Sequence, residues 1–184
     1  STPLKAIYMG GGTPSVSPLD LLAGFLEVFR EHIDPETEIT LEANQTNITA
    51  ETAEAWAKMG INRVSLGIQS LDATILKKLG RVHSPETALG ALTLLRAHIP
   101  NVSGDLIYGV PGQELDDPAR HGLEMANAGA SHISAYHLTI APTHFLYPRL
   151  PNDSFAWSQI KKLSDALTPF GFEHYEVSNF CLPG

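Results

Sequence analysis

Short apolar runs alternate along the chain with longer stretches in which apolar positions recur every three or four residues. The short runs are β-prone and read as strands at 4–9, 38–42, 63–67, 102–108, 132–138 and 173–177. The helical period predicts helices at 18–32, 50–59, 85–98, 117–128 and 155–170. Ser17-Pro18 and Ser84-Pro85 each read as an N-cap followed by proline at the first helical position, and Thr49 opens a polar first turn. Gly60, Gly129 and Gly171 follow helices, as left-handed C-terminal caps do. The strands read as near-continuously apolar, which suits a parallel sheet covered on its outer face by helices. Repeated strand–helix pairs predict an α/β fold, open or barrel-like, over one domain spanning residues 1–184. The Pro-rich stretch 141–151 is the one long connection.

At 184 residues and 43% hydrophobic, the chain can bury a sizeable core. A net charge of −8, with no basic patch, argues against a nucleic-acid partner. No apolar run approaches the roughly 20 residues of a membrane-spanning helix. No signal peptide opens the chain, and the single cysteine, Cys181, fits a cytoplasmic protein. One cysteine also means that this chain alone holds no iron–sulfur cluster and no thiolate metal site.

Ligands of parallel α/β folds bind at the carboxyl ends of the strands. The first strand ends in Gly10-Gly11-Gly12-Thr13-Pro14, where missing Cβ atoms let a ligand approach the backbone. Later strand ends supply Glu42, Gln69 and Asp105, and the loop after the third supplies Arg81. Singly, each has a structural reading: a helix cap for Glu42, loop backbone partners for Gln69 and Asp105, a solvated cation for Arg81. His32, His98 and His121 read as surface residues, and only one of Tyr136 and His137 can face a barrel interior. No P-loop, no GxGxxG frame and no G-x-S-x-G elbow is present. Together the strand-end residues suit a zwitterionic nucleoside. Glu42 and glycine carbonyls can accept from an ammonium, and Arg81 can pair with a carboxylate. Gln69 and Asp105 can bond a ribose diol. Ile68, Ile107 and Val110 can wall a purine. S-adenosylmethionine is such a molecule, and the residue types permit it.

Seven motifs, in order through nearly the whole chain, resemble one family. They are GGGTPS (10–15), LEAN (41–44), NRVSLGIQS (62–70), LGRVH (79–83), DLIYGVPGQ (105–113), HISAYHLTI (132–140) and YEVSNF (175–180). The chain resembles radical S-adenosylmethionine proteins related to oxygen-independent coproporphyrinogen III oxidase. GIQS, LGRVH and YEVSNF are more similar to the haem-chaperone (HemW-type) branch. The resemblance implies a partial (β/α)6 barrel of parallel strands. It implies S-adenosylmethionine and, in a full-length parent, a [4Fe–4S] cluster on a CxxxCxxC loop whose electron yields a 5′-deoxyadenosyl radical. By motif position, Gly10, Gly11, Gly12 and Thr13 contact the methionine part, Glu42 and Arg81 address its charged groups, and Gln69 and Asp105 take the remaining cofactor positions. Implied partners are haem or a porphyrin and an electron donor. The CxxxCxxC loop, the strand before it and the family's C-terminal domain are not in this sequence, so it is expected to be the core of a longer protein, of low stability in isolation. Gln45 stands where the family usually has proline, and Ala141 where the branch usually has glutamate. The expected function is a haem chaperone. The alternatives are the oxidase itself, which converts propionates to vinyls, and a non-catalytic cofactor-binding module.

Overall fold

Parallel pairing sets equivalent positions of neighbouring strands side by side, and five strands here are built that way. The computed structural model describes residues 2–183; Ser1 and Gly184, the ends of the expected domain, lie outside the described residues. Strands β1 (Ala6–Met9), β2 (Glu38–Ala43), β3 (Arg63–Gln69), β4 (Asn101–Tyr108) and β5 (His132–His137) are parallel and stand in chain order. β1 is an edge strand, paired with β2 alone among the described residues. The crossovers carry α1 (Leu19–Val28), α2 (Ala50–Lys58), α3 (Ala73–Lys78), α4 (Pro85–Arg96), α5 (Asp117–Asn127) and α6 (Asp153–Leu167).

Local chemistry sets the helix starts. Thr49 and Thr52 form a reciprocal capping box on α2, and Ser84 Oγ accepts from Thr87 N ahead of Pro85 on α4. Ahead of α1 the expectation fails by one residue. Pro18, not Ser17, is the cap: its carbonyl accepts from Leu22 N (3.2 Å) while its ψ of 139° keeps it outside the helix. α6 starts at Asp153 because Asn152 Oδ1 accepts from Phe155 N at 2.9 Å. α3, which the helical period did not reveal, is six residues long, capped by Asp72 Oδ1 on Ile75 N (2.9 Å) and held by buried Ile75 and Leu76.

The sixth strand differs from expectation. Only Glu173–His174 (β6) is extended there; the chain then turns and returns as β7 (Asn179–Cys181), antiparallel to β5. Glu176 Oε1 accepts from Ser178 N (3.0 Å) inside the turn, and Ser178 O accepts from Ala135 N (2.7 Å), which fixes the reversed strand on the β5 edge.

The strands also alternate more strictly than their composition indicates. Leu41, Val64 and Val102 align on one face with Leu66, Ile68, Leu106 and Ile133, all buried under the helices with Trp56, Leu92 and Leu95. The other face carries polar rows: Thr40 beside Arg63, then Glu42, Ser65, Ser103 and His132 in register, then Asp105 beside Ser134. His121 is a correction: it is 1% exposed, on the inner stripe of α5 with Met125 one turn on. Burial pushes its pKa down to about 4, so the ring is neutral.

Two amides shape the loop between β4 and α5. Gln113 accepts from Val110 N (3.0 Å) and donates to Ile107 O (2.9 Å). Gln159, fully buried on α6, accepts from Gly109 N and donates to Glu114 O, both at 2.9 Å. Gln159→Leu keeps the bulk and strands both backbone groups. It is expected to cost about 1–3 kcal/mol for each group left unpaired, read as a lower urea midpoint at unchanged m-value.

Candidate functional site

The carboxyl ends of β1 to β4 converge on one rim. Gly12, Thr13, Glu42, Gln69, Arg81 and Asp105 line a single cleft there of about 230 Å³. Gly10 and Gly11 do not line it; they set the position of Glu42.

Glu42 ends the polar side of β2. Its Oε1 accepts from the Tyr8 hydroxyl at 2.6 Å and its Oε2 from Gly11 N at 3.0 Å. A Cβ on Gly10 would stand 2.9 Å from the Glu42 carboxyl and 2.5 Å from the Tyr8 ring, so only glycine lets these groups meet. Gly11 and Gly12 follow at φ of 88° and 71°, left-handed values that turn the chain over the carboxylate.

Gln69 is aimed by a distortion of β3. The register with β4 shifts between Leu66 and Gln69, and Ser70 N then bonds Ile68 O at 2.9 Å across Gln69, whose φ is 69°. This is a positive-φ γ-turn, a strained conformation for a residue with a side chain. The Gln69 amide passes over Gly67, where a Cβ would be 2.9 Å from its nitrogen.

Arg81 follows α3, with its N–H bonded to Leu76 O at 2.9 Å. Among the described residues no carboxylate is within ion-pair distance of its guanidinium. The loop is anchored by His83, whose Nε2 is 3.1 Å from Ile68 O and 2.8 Å from the Gln45 amide nitrogen. Gln45 in turn donates to Gly67 O (3.2 Å). Burial lowers the His83 pKa and keeps that ring neutral.

Asp105 sits behind these groups, 3.4 Å from the Ser65 hydroxyl. Burial pushes its pKa up to about 6, against the opposing pull of Ser65, Arg63 and Ser134 and with a smaller push from the Glu42 charge. Arg63, 18% exposed at its side chain, lies 3.4 Å from Thr40 Oγ1 and 3.9 Å from Glu38. Further from the rim, His132 bridges the hydroxyls of Ser103 and Tyr175, each at 2.8 Å, and burial lowers its pKa to about 4.

Residue types did not single out Tyr8, Arg63, Ser65 or His132. Alternation along β3, Arg63-Val64-Ser65-Leu66, was the signal that marks their face. The purine wall is corrected: none of Ile68, Ile107 and Val110 lines the cleft; Ile68 and Val110 are buried, and the same alternation turns Ile68 toward the helices. A larger groove of about 680 Å³ runs between α6 and the β6–β7 hairpin, lined by Trp157, Ile160 and Val177. Its walls are mostly apolar and its cation, Lys161, is bound to Asp165 at 2.7 Å, so the polar chemistry lies in the strand-end cleft.

The cleft can bind and orient a ligand with an ammonium, a carboxylate and hydroxyls. Among the described residues no three His, Cys, Asp or Glu side chains converge as a metal site. Cys181 pairs in register with His132 at the amino end of β5, away from this rim, so the residues present do not fit an iron–sulfur cluster. No helix among the described residues is long and apolar enough to cross a membrane.

A family model described as the radical SAM superfamily matches residues 1–122. The chain is similar to the heme chaperone HemW of Haemophilus influenzae, 37% identical over 98% of this chain and 49% of that protein. It is similar to the radical S-adenosyl methionine domain-containing protein 1, mitochondrial, of Bos taurus, 33% identical over 98% of this chain and 43% of that one. The chain thus spans about half the length of the curated relatives it matches. Coproporphyrinogen III oxidase (HemN) from Escherichia coli shares the fold at a TM-score of 0.84 and 22% identity, over 97% of this chain and 43% of that one.

The raised pKa of Asp105 has a stability consequence. Its ordinary value is 3.8 and its folded value about 6, so the folded state holds this proton more tightly than the unfolded chain does. The group therefore costs stability progressively as pH rises through that window, and fully above it. Asp105→Asn removes the dependence. Urea titrations at a series of pH values are expected to show the variant gaining on the native protein between pH 4 and 6 and holding a constant lead above.

Proposed function

Because the chain belongs to the radical SAM superfamily, we propose that its strand-end cleft binds S-adenosylmethionine in a protein that handles haem. One observation carries the cofactor reading: a tethered carboxylate and a buried amide from two strand ends, and a guanidinium from the loop after α3 with no acidic partner among the described residues, line one cleft. Glu42 keeps free lone pairs for an ammonium. Arg81 meets a carboxylate in a planar two-point contact. Gln69 and Asp105 address the ribose hydroxyls, while Gly12 and Thr13 lie along the methionyl part. The donor set fits the molecule, and the missing Cβ atoms at Gly10 and Gly67 leave room for the Glu42 carboxyl and the Gln69 amide to take their places beside it. When bound, S-adenosylmethionine supplies the radical chemistry of the superfamily; the residues of this chain hold and orient it.

The haem reading rests on relatives 37% identical that are themselves heme chaperones. It treats residues 1–184 as the cofactor-binding core of a cytoplasmic protein that also meets an electron donor. Coproporphyrinogen III oxidase activity is the second reading, and the shared fold supports it. The full-length protein is expected to bind haem, seen as a shifted Soret band, and to release no vinyl product from coproporphyrinogen III by chromatography. Vinyl product would favour the oxidase.

Arg81→Ala in the full-length protein is expected to weaken S-adenosylmethionine binding by about 1.5–3 kcal/mol, the range for a bond to a charged group. Arg81→Lys recovers part of it, because an ammonium cannot make the planar contact. Calorimetric titration reads both. Changes within about 0.5 kcal/mol, usual for solvated surface residues, would remove Arg81 from the site.

A further inference from the structure

Tyr8 is not needed where it stands for packing. It is 58% exposed in this chain, on β1, which pairs with β2 alone among the described residues, and its ring presses on the glycine turn instead of entering the core. Its hydroxyl nonetheless makes a 2.6 Å bond to Glu42 Oε1. Partial burial first, then the bond to Glu42 and the Glu42 charge, raise its pKa, so the phenol remains a donor throughout the physiological range.

An ionised carboxylate offers about four acceptor positions, two on each oxygen. Tyr8 takes one on Oε1 and Gly11 N–H takes one on Oε2. With a donor on each oxygen, the carboxylate plane cannot rotate, and one acceptor position per oxygen remains. Two acceptors in a fixed plane match a primary ammonium, which has three donors. With Gly11 alone, the plane would be free to turn about the last side-chain bond.

We propose that Tyr8 is a positioning residue for the ligand's ammonium: with Gly11 it locks the Glu42 carboxylate in the orientation that receives it. This rests on the reading of the cleft as an S-adenosylmethionine site. It makes the cleft selective for ligands that carry an aliphatic primary ammonium, over nucleosides without one.

The test uses the full-length protein, native and as Tyr8→Phe, Glu42→Gln and the double variant. Two probes are titrated calorimetrically: S-adenosylmethionine, and 5′-methylthioadenosine, which keeps the nucleoside and carries its sulfur as a neutral thioether but has no aliphatic ammonium. Circular dichroism checks folding, which an exposed Tyr→Phe change leaves intact. Tyr8→Phe is expected to weaken S-adenosylmethionine about five- to tenfold, the size of one ordinary hydrogen bond. It is expected to leave 5′-methylthioadenosine unchanged and to add nothing in the Glu42→Gln background. Equal losses for both probes would make Tyr8 a general support of the rim and overturn the proposal. Native affinity in Tyr8→Phe with a loss in Glu42→Gln would overturn the role of Tyr8 and leave the site standing. Native affinity in Glu42→Gln would show that the site reading itself is wrong.

Discussion

The structure depends on two-faced strands held in parallel register. Alternation gives each strand one apolar and one polar side, and the register joins these sides across the sheet. The apolar sides make the floor on which the helices pack, with Trp56, Leu66 and Leu92 at its centre. The polar sides make continuous rows such as Glu42, Ser65, Ser103 and His132. A one-residue slip in any strand would drive a row of polar groups under the helices and lift its apolar partners out. The same constraint therefore stabilises the fold and assembles the cleft.

Those rows work because charge on them is rationed. His132 on the rows and His83 in the loop beside them are held neutral by burial, and Asp105 is moved toward neutrality. Arg63 is the cation of the polar face, near enough to Asp105 to favour its ionised form. Glu42 is held in place by two donors at its own oxygens. Arg81 sits at the mouth with no acidic partner among the described residues, while the groups beneath it are bonded. The cleft thus separates a cation at its rim from a carboxylate at the glycine turn, a polarity suited to a zwitterion.

Much of this was legible in the sequence. The order of the five parallel strands followed from the spacing of apolar runs, and the α2 and α4 starts from their capping residues. The convergence of Glu42, Gln69, Arg81 and Asp105 followed from parallel strands sharing a rim. What escaped was of two kinds. Short elements carry too few residues for a period, so α3 was hidden in a loop and the β6–β7 reversal was read as one strand. Tertiary partners have no local mark: the buried state of His121, the two amides Gln113 and Gln159, and the Tyr8–Glu42 bond between residues 34 apart all depend on what the fold brings alongside.

The γ-turn at Gln69 has a consequence for how such a chain responds to selection. A non-glycine residue in that conformation costs on the order of 1–3 kcal/mol, and Gln69→Gly would recover the part of it that the greater freedom of glycine in the unfolded chain does not offset. Nothing in the core would resist the exchange, because the Gln69 amide lies over Gly67 and not among the buried apolar side chains. Laboratory evolution for heat resistance alone would therefore find a stabilising substitution at this position, and taking it would remove the Gln69 amide from the cleft. Keeping glutamine there requires a selection that reads ligand binding as well as folding.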